Sequence, residues 1–170
     1  MNSAQKNNIK KEFDEIVRLC EDAIPEYGER ASYFMEPATE EEIDAWEEVT
    51  NLKMPESYKE WLKLTKTCQI RQTLAEFYFP ATNQPEFVPE DYVMIGNIIG
   101  DGEIVCFSKN NGKFIRYFEG SINGEFDDFK DTLKKIISML KGDLGVSMDE
   151  KMLMLEKLKE IRKRKEGNVE

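Results

Sequence analysis

The most informative part of this sequence is a nine-residue stretch at positions 54–62, MPESYKEWL. Pro55 suits the first turn of a helix, where the backbone N–H that proline lacks would have no helical partner. After it, Tyr58, Trp61 and Leu62 recur at the three- and four-residue spacing of one helix face. The stretch therefore predicts a short helix that buries two aromatic side chains.

A second helix is predicted just before this stretch, where the chain is most acidic. Thr39 and Glu42 have the spacing of a capping box, in which each side chain bonds the backbone amide of the other residue. Ile43, Trp46 and Val49 follow at helical spacing, so we expect these three side chains on the buried face.

Strands are predicted in the middle of the chain, with helices on both sides. The strands are expected at residues 74–79, 92–97, 103–108 and 113–119, and the last two flank an Asn-Gly turn. In the last strand, Phe114 and Arg116 point to one side and Tyr117 to the other. Further helices are expected at residues 8–24, at about 128–140 and at 146–166.

Helices and strands that are segregated along the chain are typical of an α+β fold, here an antiparallel sheet meander with helices packed on it. We expect one such domain over residues 1–145, with its core at about 30–140. The amphipathic C-terminal helix at 146–166 is expected to pack on this domain or to be appended to it. Its methionine-rich apolar stripe suits the chain's own core or a partner surface.

Charge and composition exclude several classes of function. The 170 residues have a net charge of −10 and include no histidine, which excludes Ser-His-Asp and Cys-His catalysis and histidine metal sites. An acidic chain is a poor ligand for nucleic acid, because phosphate binding needs a basic face. No apolar run approaches the roughly 18 residues of a membrane-spanning helix. We therefore expect neither nucleic acid nor a membrane as partner.

The cysteines favour a reducing compartment. Cys20, Cys68 and Cys106 are far apart, form no C-x-x-C pair and lie among apolar residues, so buried thiols are expected. No secretory signal is visible at the N-terminus. The expected location is the cytoplasm.

No motif for a catalytic group, cofactor or metal stands out. Acidic residues 125–131 gather at a predicted helix start, which favours negative charge, and this explanation is preferred to a divalent metal site. Gly96, Gly100 and Gly102 do not match a phosphate-binding loop, so they are interpreted as turn glycines.

The acidic segment at residues 36–60 is the strongest candidate for binding. It holds nine acidic residues and two lysines, which fits either a solvated helix face or a docking surface for a basic protein. Replacing Glu47 and Glu48 by lysine is expected to slow partner association and to change stability little. The candidate binding residues are Glu40, Glu41, Asp44, Glu47 and Glu48, with Glu86, Glu90 and Asp91 of the loop at residues 80–91.

These motifs together resemble the SUKH superfamily over about residues 30–140. Residues 54–62 match its proline, tyrosine and aromatic-leucine pattern, and the Thr39 capping box lies upstream as in the family. Ile95-Gly96, the Gly-Asp-Gly turn at 100–102 and a phenylalanine-led closing helix at 126–140 follow in the family order. Residues 65–69 depart from it, since the family often has an Asn-Gly step there.

The resemblance implies an α+β fold without catalytic residues and a binding cleft by the sheet. Bacterial members resemble immunity proteins that neutralise toxins, often nucleases, and eukaryotic relatives regulate cell-wall synthesis as interaction hubs. The favoured hypothesis is a non-catalytic immunity protein, a monomer or weak homodimer, that binds a toxin with a basic surface. The alternatives are an intracellular adaptor with the same fold and an enzyme that uses paired carboxylates.

Overall fold

The computed structural model describes residues 3–72, 74–98, 102–144, 156–157 and 159–164. The helices in these residues are α1 (Ser3–Asp22), α2 (Ile24–Tyr27), α3 (Glu40–Thr50), α4 (Glu56–Leu62) and α5 (Phe129–Leu144). The strands are β1 (Tyr33–Phe34), β2 (Thr67–Ile70), β3 (Ala75–Tyr78), β4 (Tyr92–Ile98), β5 (Glu103–Ser108), β6 (Phe114–Phe118) and β7 (Ser121–Phe126). The α+β prediction is therefore confirmed.

Within the described residues, the strands form a single sheet whose order follows the chain from β1 to β7. Each neighbouring pair is antiparallel. The four predicted strands correspond to β3, β4, β5 and β6, whereas β1, β2 and β7 were not predicted. β1 has only two residues, and β7 lies at the sheet edge with mostly exposed side chains, so neither shows the apolar alternation of a half-buried strand.

α4, which begins directly after Pro55, connects the helical layer to the sheet. The Trp61 ring packs edge-on against Phe13 of α1, Phe77 of β3 and Phe129 of α5, with centroid distances of 5.5, 6.1 and 5.5 Å. The Tyr58 hydroxyl donates to the main-chain oxygens of Tyr78 in β3 and Ile95 in β4. Burial of Tyr58, Trp61 and Leu62 confirms the predicted inner face of this helix.

Two predictions about single residues are wrong. Val49, expected on the buried face of α3, is 72% exposed. Gly96, interpreted as a turn glycine, lies inside β4 beside a register shift. A Cβ atom there would lie 2.2 Å from the main-chain oxygen of Glu76, so the close approach of β3 requires glycine. Gly102 does have a turn conformation, with φ +72°, while Gly100 and Asp101 lie outside the described residues.

The chain divides into two units, Met1–Ile137 and Ser138–Glu170. The first holds the whole sheet and α1 to α4, and the three cysteines are buried free thiols, as predicted. In the second, the described residues are the end of α5 and helical residues 156–157 and 159–164. The rest of the predicted helix at 146–166 lies outside the described residues, and the domain boundary stays a prediction.

Candidate functional site

α3 concentrates negative charge because its sequence, EEEIDAWEEVT, contains six acidic residues and no basic one. The helix starts at a cap in which the Thr39 hydroxyl accepts a hydrogen bond from the Glu42 amide at 3.1 Å. Three glutamates fill the first turn, where the helix dipole favours negative charge. Its inner face is fixed by Ile43 and Trp46, which are buried.

Half of the acidic side chains of α3 are ion-paired to lysines in and just after α4. These pairs neutralise half of the acidic charge of α3 and attach the helix to α4 and to the segment that follows it. The pairs are Glu40–Lys63 at 3.1 Å, Glu42–Lys66 at 2.7 Å and Glu47–Lys59 at 3.1 Å.

Glu47 belongs to the fold rather than to the open surface. Its side chain is 9% exposed, accepts a hydrogen bond from the Met54 amide at 2.9 Å and pairs with Lys59. Burial alone would raise the pKa of Glu47, but the bonds from Met54 and Lys59 outweigh it and lower that pKa. The expectation that Glu47 can be replaced with little effect on stability therefore does not fit its surroundings.

The other three acidic side chains form what we term the acidic ridge: Glu41, Asp44 and Glu48. They are exposed, and their spacing of three and four residues places them on one face of the helix. Within the described part of the chain, none of them forms an ion pair. The ridge is therefore the part of α3 whose charge stays available to a partner.

An apolar groove of about 400 Å³ runs beside the ridge, and we term it the α3 groove. Val49 is 72% exposed at its edge, and the Trp46 indole N–H is satisfied by the main-chain oxygen of Ala81 at 3.3 Å. The groove therefore presents mainly carbon. It is lined by Glu42, Ala45, Trp46, Val49, Lys66, Phe79, Pro80 and Thr82.

The loop between β3 and β4 carries the remaining predicted binding residues, Glu86, Glu90 and Asp91, and all three are exposed. The loop is anchored where the Gln84 side chain accepts a hydrogen bond from the Met94 amide at 2.8 Å. The first residues of the loop contact α3, where the main-chain oxygen of Ala81 accepts the hydrogen bond from Trp46. No described contact joins the three loop carboxylates to the acidic ridge, so they form a separate candidate surface.

The sheet face opposite the Trp61 core is a further candidate, on the sheet where the family resemblance implies a binding cleft. Half-buried Tyr78, Tyr92, Ile104 and Tyr117 pack there over a small apolar cluster that includes Val88 of the β3–β4 loop. Half-buried tyrosines are typical of protein interfaces. The side-chain alternation of β6 predicts that Tyr117 lies on this side of the sheet. No sequence pattern predicts that the four strands bring these four side chains together.

A hydrogen-bonded pair of polar side chains, Asn97 and Glu76, lies beside Tyr78. The Asn97 amide donates to Glu76 at 2.7 Å across the β3–β4 pair. Burial raises the pKa of Tyr78 to about 12, and the nearby Glu76 carboxylate adds to the effect. Tyr78 therefore keeps its proton at neutral pH and remains a hydrogen-bond donor.

Carboxylates at other candidate positions serve the fold. Glu125 and Asp127 pair with Lys113 at 3.3 and 3.6 Å, and Asp128 caps α5 by accepting from the Lys130 amide. Buried Glu103 pairs with Arg116 at 3.2 Å. Within the described residues, no cluster of three or more histidine, cysteine or acidic side chains is placed to hold a metal ion.

No helix in the described part of the chain combines the length and the apolar character needed to cross a membrane.

Comparison with known families identifies the family of this chain. The sequence model of the SMI1 / KNR4 family (SUKH-1) matches residues 37–135, more than half of the chain. The matched range starts just before α3 and ends inside α5, so it contains the acidic ridge, the α3 groove and the tyrosines of the sheet. No curated protein matches the sequence.

Proposed function

The chain belongs to the SMI1 / KNR4 family (SUKH-1), and we propose that it is a non-catalytic immunity protein that binds and neutralises a cognate bacterial toxin. Family membership is the observation that carries this proposal, since members of this kind act through binding. We further propose that it works in the cytoplasm, as a monomer or weak homodimer, and needs no cofactor.

The electrostatics support a toxin with a basic surface. The chain has a net charge of −10, and α3 leaves three carboxylates exposed in its acidic ridge. A nuclease toxin needs a basic face to bind phosphates, and an acidic inhibitor is complementary to such a face. Opposite charges also speed the encounter of the two proteins, which is useful when a toxin must be intercepted before it acts.

The described carboxylates give little support to enzymatic action. A glycosidase-like mechanism needs two carboxyl groups that converge on a substrate with separated pKa values. Glu47 and Glu103 are the buried carboxylates discussed above, and each is held by a basic side chain of the fold. This supports binding rather than catalysis as the proposed activity.

Co-expression tests the proposal. The chain is produced together with a toxin encoded directly upstream of its gene, and growth is compared with that of cells producing the toxin alone. We expect growth to be restored, and an unrelated toxin expressed in parallel to remain lethal. Failure to bind or neutralise the upstream toxin would reject the immunity role. If a pull-down with the chain instead recovers proteins that regulate the cell wall, the adaptor role is favoured.

A further inference from the structure

We propose that the α3 groove and the acidic ridge together dock a short segment of the partner protein, in which one apolar side chain is flanked by lysines or arginines. The apolar side chain enters the groove beside Val49, and the basic side chains lie along the ridge. This inference rests on the proposed function and adds the chemistry of the partner and the place where it binds.

The groove favours an apolar anchor because the polar side-chain groups of Glu42, Lys66 and Trp46 in its lining already have partners within the fold. Glu42 and Lys66 at its rim neutralise each other at 2.7 Å, and the Lys66 ammonium lies 5.8 Å from the Phe79 ring centroid. The Trp46 indole N–H bonds Ala81 within the fold. A polar ligand would therefore find few partners in the groove, whereas an apolar side chain would cover the exposed Val49.

The ridge determines what must flank this anchor. Glu41 lies four residues before Ala45 and Glu48 three residues after it, so both carboxylates adjoin the groove at Ala45 on the helix surface. Within the described residues these carboxylates have no basic partner, in contrast to the paired glutamates Glu40, Glu42 and Glu47. Lysine or arginine beside the anchor would complete the pairing, and charge complementarity therefore selects a basic protein segment.

Docking is tested first without any toxin, by an NMR titration of the full isotope-labelled chain. The probe is a seven-residue peptide with a central leucine, an alanine on each side and two lysines at each end. We expect shifts centred on Ala45, Val49 and the Trp46 indole, and weaker binding at high salt. A peptide with serine in place of leucine, or glutamates in place of the lysines, should lose these shifts.

The variants separate the groove from the ridge. Val49→Gln makes the groove edge polar without changing charge, and it should weaken peptide binding by about tenfold, as loss of a central anchor does. The triple variant Glu41→Gln, Asp44→Asn, Glu48→Gln should weaken binding and remove its salt dependence. The matched control Glu86→Gln, Glu90→Gln, Asp91→Asn changes the loop by the same charge and should bind as the unmodified chain does.

Several results would overturn the inference. Shifts that persist without the leucine, or that concentrate on the loop or on the tyrosines of the sheet, would place binding elsewhere. Shifts at Ala45 and Val49 that grow with protein concentration alone would assign the groove to a second copy of the chain.

Affinity for the cognate toxin then separates this inference from the proposed function. If the chain neutralises a toxin, and Val49→Gln and the ridge variant bind that toxin as tightly as the unmodified chain does, the docking site is rejected and the immunity role stands. If the peptide binds in the groove but the chain neutralises no upstream toxin, the docking site stands and the immunity role is rejected.

Discussion

At the scale of single residues, neighbours of the same type have opposite roles. Glu47 and Glu48 are adjacent glutamates on one acidic helix. Glu47 bonds the Met54 amide and Lys59, whereas Glu48 faces solvent on the acidic ridge. Sequence alone could not separate them, because the partner of Glu47 lies on another helix and its position depends on how α3 and α4 pack.

Glu47→Ala is predicted to lower the free energy of unfolding by about 1–3 kcal/mol, since the Met54 amide loses its acceptor and Lys59 loses one of its two carboxylate partners, keeping Glu56 at 3.4 Å. The matched control Glu48→Ala should stay within about 0.5 kcal/mol of the unmodified chain. Urea denaturation at pH 7 measures both. Equal effects of the two substitutions would show that Glu47 is not a structural carboxylate.

The same pair predicts a pH dependence. The pKa of Glu47 is lowered in the folded chain, so its contribution to stability is present above the ordinary glutamate pKa of about 4.3. That contribution is lost as the pH falls through the lowered pKa of the folded state. The stability gap between the unmodified chain and Glu47→Gln should therefore be largest near pH 7 and should narrow as the pH falls below the ordinary glutamate pKa. A gap that widens on acidification would contradict this assignment.

Gly96 gives a second prediction at this scale. Gly96→Ala would place a Cβ atom 2.2 Å from the Glu76 oxygen and 2.6 Å from the Phe77 ring, so β3 and β4 would have to move apart. We expect a loss of about 1–3 kcal/mol in thermal or urea unfolding. Gly142→Ala is the control, because among the described residues no atom beyond its own helical turn lies within 4 Å of the added Cβ and alanine favours a helix. Similar results for the two glycines would show that the strands do not approach so closely.

At the scale of elements, α4 joins the helices to the sheet. The Ser57 hydroxyl accepts from the Phe129 amide at 3.0 Å, Tyr58 bonds two strands, and Lys59 pairs with α3. The nine-residue stretch at 54–62 thus contacts several elements at once. This explains why so short a motif is informative about the fold.

Trp61→Ala is predicted to destabilise the chain by about 3–5 kcal/mol, because it leaves a cavity among three aromatic rings. Val49→Ala removes an apolar side chain that is 72% exposed, and it should change stability by less than about 0.5 kcal/mol. Chemical denaturation compares the two. A cost below about 1 kcal/mol for Trp61→Ala would remove that residue from the core.

Sequence patterns predicted elements well where local and tertiary preferences agree. The cap of α3, the inner face of α4 and the hairpin of β5 and β6 combine turn or cap chemistry with apolar spacing. At Val49 the two preferences disagree. The residue fits the apolar spacing of α3, but the space beside it is an open groove rather than another element. β7 escaped prediction because an edge strand needs no apolar face.

At the scale of the whole molecule, the sequence identified the fold class and the family but only part of the candidate site. Composition located negative charge at α3, since six of its eleven residues are acidic. The division of that charge into paired glutamates and the acidic ridge depends on lysines in α4 and after it. The tyrosines of the sheet come from separate strands, so their meeting depends on strand register rather than on local sequence.

A stoichiometric titration distinguishes neutralisation by binding from neutralisation by chemistry. Purified toxin is mixed with increasing amounts of the purified chain, and residual toxin activity is measured after equilibration. We predict that activity falls in proportion to the added chain and disappears near one equivalent. Activity that persists in the presence of excess chain would contradict neutralisation, and complete loss at a small fraction of an equivalent would contradict a non-catalytic mechanism.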